Sequence, residues 1–464
     1  MLAVARRRAE LGLIVLGLLI TASAYALTSL GRTASLPVNI VPFLGIVFAL
    51  LIAAHLGVRR LAPGADGVLL PLAALLNGIG YVFIARLDEV SEDPGQLAAA
   101  QATWTALGII AFIVTLAVVR RARDLARFRY TLLLVGVLLL LAPLVPGIGR
   151  TINGARIWVG VGPVTFQPGE FAKIALAVFF AGYLMEKREL LGMITWPKFR
   201  PVLPEPRFLG PIVVAWAVSL VVMTAEKDLG SSLLFFALFV LLLWVGTERW
   251  AYLVVGSGLF AVGAYFAYSS FAHVQTRVST WLNPWDDPGG GGFQVIQSWF
   301  ALAWGGTGGT GLGLGNPDRI PVVETDFIFA AIGEELGLFG ASAVIFAFVL
   351  MIGAGLKVAA QADDPFDKLL ATGLTVLLGV QAFIIMAGVT RLLPLTGVTL
   401  PFVSYGGSSL LGNYVLLALL VRVSDDTARK AGEVPERGTM ASRRARRRLE
   451  RDAAGETVFI GAEG

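Results

Sequence analysis

Val322-Val323-Glu324-Thr325-Asp326-Phe327-Ile328-Phe329-Ala330-Ala331-Ile332-Gly333-Glu334-Glu335-Leu336-Gly337 closes the longest polar segment of the chain and opens a strongly apolar run. Four carboxylates, Glu324, Asp326, Glu334 and Glu335, therefore stand where water gives way to hydrocarbon. Charge is costly at that boundary and is usually retained for a reason. Asp326 is the candidate catalytic carboxylate, at the mouth of a membrane-embedded site. The plainer reading is that Asp326 caps the helix after it, since aspartate suits a helix N-terminus.

Composition sets the class. The chain has 464 residues, 56% of them hydrophobic and 15% charged, with a mean hydropathy of +0.75. A soluble protein of this size cannot hide so much apolar surface, so an all-α polytopic membrane protein is expected. The chain contains no cysteine, which excludes disulfides and thiolate metal sites. His55 and His273 are the only histidines and make no cluster. Arg6-Arg7-Arg8 followed by the apolar stretch 11–30 reads as a first span, not a removable signal peptide. The net charge of +5 belongs to loops and tail and does not point to nucleic acid.

Twelve apolar runs follow one another: 11–30, 40–58, 68–85, 102–119, 130–146, 170–185, 209–225, 228–246, 250–270, 327–356, 369–390 and 401–421. Orientation comes from lysine and arginine. With the N-terminus inside, the inner segments hold 28 of the 37 basic residues and the outer segments 8, with Lys173 inside a span. That bias predicts N-in and C-in termini and places Asp326 outside. The chain divides into N-terminal helices (1–129), a core (130–422) with a large outer loop (271–326), and a basic tail (423–464). The run Arg443-Arg444-Ala445-Arg446-Arg447-Arg448 suits attraction to anionic lipid in an otherwise disordered tail.

Four outer segments carry the polar signals. In the first, 149–173, Pro168 suits a helix start, and Glu170 and Lys173 share a helix face. They read either as an ion pair that eases burial or as substrate contacts. In the second, Asp228 reads as the cap of the helix from Leu229. In the third, 280–288 reads as turns. Phe293 to Trp304 has helical spacing and suits the membrane interface, and 305–313 is a glycine-rich loop. In the fourth, 396–409, small and hydroxylated residues open the last helix, for close packing or as the polar wall of a cavity.

Taken in order, these segments resemble the SEDS family (shape, elongation, division and sporulation) over about residues 130–422. The matches are Asn153-Gly154-Ala155-Arg156 with Trp158, Gln167-Pro168 with Glu170 and Lys173, Asp228-Leu229-Gly230, Asn283-Pro284 with Gln294 to Ser298, Thr325-Asp326-Phe327-Ile328-Phe329-Ala330 with Glu334-Glu335-Leu336-Gly337, and Pro401-Phe402-Val403-Ser404-Tyr405-Gly406-Gly407-Ser408-Ser409. The resemblance implies a ten-span core, here with two extra spans placed at the N-terminus. It implies a peptidoglycan glycosyltransferase of the bacterial cytoplasmic membrane that polymerises lipid II with a class B penicillin-binding protein as partner. The family's essential aspartate falls on Asp326. Its sensitive cavity positions fall on Trp158, Glu170, Lys173, Asp228 and the segment Ser404, Tyr405, Gly406, Ser408, Ser409. The chain departs from the common pattern at Gly169, where many members have serine, and at Glu324, where many have histidine. Its short tail looks more like the elongation branch than the division branch.

The implied reaction inverts an anomeric centre. It needs a base for the acceptor hydroxyl and cations for the leaving pyrophosphate. Asp326 is the candidate base or metal ligand. Arg156, Lys173 and a divalent cation, Mg or Mn, are candidates for the charge. A lipid II flippase and a non-enzymatic scaffold are the rival classes; a flippase would suit an internal repeat, and none is evident in the sequence.

Overall fold

The structure is a computed structural model that describes residues 2–36, 40–90, 95–152, 155–162, 164–192, 217, 226 and 228–434. The apolar run 209–225 apart from Ala217, and also Asn153, Gly154 and the polybasic stretch 443–448, lie outside the described residues. Thirteen helices are described: α1 (Leu2–Thr33), α2 (Ile40–Leu61), α3 (Leu69–Asp88), α4 (Gln96–Val118), α5 (Arg129–Leu141), α6 (Gly169–Gly192), α7 (Leu229–Thr247), α8 (Trp250–Ser270), α9 (Ala272–Leu282), α10 (Phe293–Gly305), α11 (Ile328–Gln361), α12 (Pro365–Val389) and α13 (Gly407–Lys430). Among the described residues ten helical stretches are long and apolar enough to cross a membrane. The chain is a multi-pass α-helical membrane protein. Helix α6, which carries Glu170, Lys173 and Glu186, is not among the ten.

Helix packs on helix through one continuous apolar core. Helix α4 lies along α13, α3 lies between α1 and α11, and α12 contacts α6, α7 and α11. Several polar side chains inside this core find partners. Asn77 on α3 donates to the Tyr414 hydroxyl on α13 at 3.0 Å.

The segment 149–166 forms a small antiparallel sheet of β1 (Gly149–Ile152), β2 (Ala155–Val161) and β3 (Val164–Phe166) in that order, and two local readings are corrected. Ile157, Trp158 and Val159 have the β-branched and aromatic character that favours a strand. Residues 280–282 are helical, because α9 runs on to Leu282 before a turn at Pro284. The last helix begins at Gly407, not at 401. Residues 401–405 form a buried turn in which Phe402, at φ 64°, meets the Tyr414 ring edge-on at 5.4 Å.

The 327–356 run holds the feature on which the outer loop depends. Helix α11 is broken at Gly337 (φ 65°, ψ −164°). A break in apolar surroundings leaves backbone groups without partners. The glycine loop supplies them. Thr310 N–H donates to the Glu334 carbonyl at 2.9 Å and Gly311 N–H to the Glu335 carbonyl at 3.0 Å. In return Leu338 N–H donates to the Gly306 carbonyl at 2.9 Å and Phe339 N–H to the Thr307 carbonyl at 3.3 Å. A Cβ on Gly337 would lie 2.3 Å from the Gly309 nitrogen, so the approach requires glycine. The loop is therefore not a free, mobile stretch but half of a backbone pairing.

Side chains fasten the same joint. Glu335 pairs with Arg86 of α3 at 2.7 Å, and both are almost fully buried. Its other oxygen accepts from Gly313 N–H at 2.8 Å. Arg86 also donates to the Gly315 carbonyl at 2.6 Å. Glu334 accepts from Asn316 N–H at 2.8 Å. Removing one partner of a buried pair leaves an uncompensated charge. Glu335→Leu is therefore expected to cost about 3–5 kcal/mol. Adding Arg86→Met should recover part of that loss, and thermal unfolding of both variants in detergent checks it.

Candidate active site

Asp326 stands at the end of the loop, one residue before α11 reaches its N-cap, Phe327. That cap has no side-chain hydrogen bond, so Asp326 is not the capping residue. Its position is set by the main chain on either side. The Ser404 hydroxyl donates to the Thr325 carbonyl at 2.5 Å, and Tyr405 N–H donates to the Glu324 carbonyl at 2.8 Å. Ser404 is itself fixed by accepting from Leu400 N–H at 2.9 Å. The turn before α13 thus aligns the Asp326 segment.

The carboxyl opens into a cleft of about 210 Å³ between α9, α10 and the 391–397 segment. Arg277 and Trp281 come from α9, Gln294 from α10, and Arg391 and Gly397 from the segment after α12. A Cβ on Gly397 (φ 75°) would stand 3.6 Å from an Arg277 Nη and 3.9 Å from Asp326 Oδ2. The missing side chain keeps the space between cation and carboxyl open. Arg277 donates to the Leu395 carbonyl at 3.2 Å. Arg391 takes φ 66°, rare for a residue with a Cβ, and is held there from three sides. Its guanidinium donates to the Leu282 carbonyl at 2.8 Å and lies 4.7 Å from the centre of the Trp299 ring. Its carbonyl accepts from Trp281 Nε1 at 3.0 Å.

The Asp326 side chain is half-buried in exposed area but lies deep in the protein mass. Loss of hydration pushes its pKa from 3.8 up to about 6. The Thr325 hydroxyl and the Arg277 charge oppose the rise, and the Glu324 charge adds to it. Such a carboxyl is ionised at neutral pH and more basic than an ordinary aspartate.

A second polar group sits behind the same segment. Glu170 and Lys173 form a buried pair at 2.8 Å. The ion-pair reading of these two therefore describes their contact. Lys173 also donates to Gln381 Oε1 of α12 at 2.8 Å. Gln381 donates to the Thr399 carbonyl at 2.8 Å, and the Thr399 hydroxyl donates to Ser409 at 2.8 Å. Ser408 accepts from Gln167 N–H at 3.0 Å, and Gly406 is the N-cap residue of α13. The segment 395–409 thus joins Asp326 and Arg277 on one side to Glu170 and Lys173 on the other.

The remaining expected residues stand apart from the Asp326 cleft. Arg156 and Trp158 lie on β2, where Arg156 donates to the Pro143 carbonyl at 3.0 Å and Trp158 pairs with Arg150. Asp228 caps α7 by accepting from Ser231 N–H at 3.0 Å and from its hydroxyl at 2.6 Å. Sequence reasoning passed over Arg277, Arg391, Gln381 and Thr399. The first two are among the few basic residues of the outer segments, and Gln381 is polar within an apolar run; those were the available signals. Among the described residues no three His, Asp or Glu side chains come together to hold a metal.

Comparison with known proteins follows this geometry. Residues 67–429 match the profile of the cell cycle protein family FTSW_RODA_SPOVE. The chain is similar to the peptidoglycan glycosyltransferase RodA of Mycobacterium tuberculosis, with 44% identity over 430 residues, 91% of this chain and 92% of that one. It is 35% identical to a probable peptidoglycan glycosyltransferase FtsW of Geobacter metallireducens, over 77% of this chain and 94% of that one. A solved structure described under the structural coordination of polymerization and crosslinking by a peptidoglycan synthase complex matches with a TM-score of 0.63 and 28% identity, covering 78% of this chain and 98% of that one. The rod shape determining protein RodA of Thermus thermophilus shares the fold, with a TM-score of 0.56, 24% identity and coverage of 78% and 97%.

The bridge through Gln381 carries its own expectation. Gln381→Leu deprives Lys173 of an acceptor and the Thr399 carbonyl of a donor. A loss of about 1–3 kcal/mol in unfolding free energy is expected, read by thermal unfolding in detergent.

Proposed function

Because the chain belongs to the FtsW, RodA and SpoVE family of cell cycle proteins, we propose that it is a peptidoglycan glycosyltransferase that polymerises lipid II at the outer face of the bacterial cytoplasmic membrane. The observation that carries this reading is the cleft that sets Asp326, with its pKa near 6, beside Arg277 and Arg391. Among the described residues neither arginine has a carboxylate within ion-pair distance. Two unpaired guanidinium groups in a cleft suit an anion of pyrophosphate type. The N-in orientation derived from the basic residues puts this cleft outside.

The donor sugar is bound to pyrophosphate through an axial bond and the product linkage is β-1,4, so the anomeric carbon inverts. Asp326 takes the proton from the acceptor hydroxyl as its oxygen forms the new bond to that carbon. The bond from carbon to the pyrophosphate oxygen breaks, and undecaprenyl pyrophosphate leaves with the electron pair. Arg277 and Arg391 meet the charge that develops there. A positioned base is worth about 10² to 10⁴ in rate. In the alternative role, Asp326 would be a ligand and not the base: a divalent cation, Mg or Mn, would be held by it together with substrate phosphate and would supply charge neutralisation at the leaving group.

The higher identity to the RodA relatives favours service in elongation over division. A class B penicillin-binding protein is the proposed partner, supported by the likeness to a component of a synthase complex that joins polymerization to crosslinking.

The test is polymerisation of lipid II by the purified protein, alone and with a class B penicillin-binding protein. Asp326→Ala is expected to lose activity by at least about 10² while remaining folded. Equal polymer from both would remove Asp326 from the mechanism; no polymer from either, with lipid II still crossing vesicle membranes, would favour the flippase. The wild-type rate should also follow the ionised carboxylate. It should fall about tenfold per unit as pH drops below about 6 and level off above it.

A further inference from the structure

A second cavity lies beside the Asp326 cleft, with a volume of about 360 Å³. Helix α10 is the wall between them: Gln294 and Val295 face the Asp326 cleft, while Gln297, Phe300 and Trp304 face the second cavity. Its far wall is the segment 310–320, which runs on from Ile320 to Asp326 itself. The two cavities therefore share a helix and a loop.

The lining of the second cavity is unlike a packing defect. Glu334 is only 5% exposed and lines it. One of its oxygens accepts from Asn316 N–H at 2.8 Å. Arg319 lines the same cavity with an exposed side chain. Among the described residues neither Glu334 nor Arg319 takes part in an ion pair. Gln297 adds an amide, and the Trp304 ring, 75% exposed, offers a broad apolar face at the rim. Phe300 is braced by Trp285, ring centre to ring centre 6.2 Å.

A carboxylate that accepts, a guanidinium that donates, an amide that does both and a flat aromatic face are the groups that bind a sugar. The carboxylate and guanidinium take hydroxyl and carbonyl groups, and the indole covers the apolar side of a pyranose ring. We propose that this cavity is a saccharide subsite that holds the growing glycan strand, on the far side of α10 from the reaction centre. The proposal rests on the polymerase reading above. A polymerase that keeps its strand between additions needs such a grip away from the bond being made. Loss of the grip should shorten strands without slowing the chemistry.

The test compares wild type with Trp304→Ala and Arg319→Gln, both at exposed side chains outside the Asp326 cleft. Labelled lipid II is supplied to the purified proteins, and lipid II consumption and strand length are read separately. The expected result is a fall in median strand length of roughly fivefold or more, with the initial rate of consumption held within about twofold. A lipid-free oligosaccharide of the same repeat should compete with elongation by wild type and lose at least about tenfold in potency against the variants. Unchanged strand length in both variants would overturn the proposal. So would a rate that falls in step with length, which would make the cavity part of the reaction centre. Loss only of co-purification with a class B penicillin-binding protein, with strand length unaltered, would make the surface a partner contact and overturn it as well. Absence of polymer from wild type would instead strike the polymerase reading.

Discussion

A backbone amide or carbonyl cannot stand bare in hydrocarbon, and the largest effect of that constraint here is the exchange of hydrogen bonds across Gly337. Helix α11 breaks there, and the glycine loop 306–311 fills both sides of the break with its own main chain. The closest part of that approach needs Gly309 and Gly337, where a Cβ would lie 2.2 Å from the Glu335 carbonyl oxygen and 2.3 Å from the Gly309 nitrogen. Once the loop is tied to α11, its continuation to Asp326 has little freedom. Arg86 and Glu335 lock the same joint to α3, so the outer loop is anchored to the first half of the chain as well as to the second.

The segment between α12 and α13 plays the complementary part. Its start carries Arg391 and Gly397 into the Asp326 cleft. Its middle, at Thr399, reaches the buried group of Gln381, Lys173 and Glu170. Its end, at Ser404 and Tyr405, holds the main chain next to Asp326. One short stretch therefore couples a reactive carboxyl to an ion pair inside the helix bundle.

Much of this was legible from residue order. Apolar runs of spanning length announced the helices, and the carboxylate at the edge of the last long loop drew the eye to Asp326. Asp228 read as a cap because its chemistry is local, and local chemistry survives in sequence. What was not legible depends on distant meetings. Arg277 and Arg391 lie more than a hundred residues apart in the chain, and nothing near either one says that they share a cleft. Gln381 is a single amide in an apolar run, and its importance appears only when Lys173 arrives beside it. The break at Gly337 was hidden because Gly333, Gly337 and Gly340 look alike in a hydrophobic stretch. The run in α6 was short of spanning length, and the helix carries charge at both ends, Glu170 and Lys173 early and Glu186, Lys187, Arg188 and Glu189 late, which sets it apart from the more apolar spans. The small sheet was masked by its turn residues.

The main-chain alignment of Asp326 also bears on how freely this region can drift. Ser404 and Tyr405 grip the carbonyls of Thr325 and Glu324, not their side chains. A carbonyl is present whatever residue occupies the position. The side chain at 324 can therefore be exchanged while the carbonyl that Tyr405 holds stays in place beside Asp326. The acceptors that fix the reactive group are thus common to every residue, while the Ser404 hydroxyl that grips one of them is a side chain and is the part open to mutation.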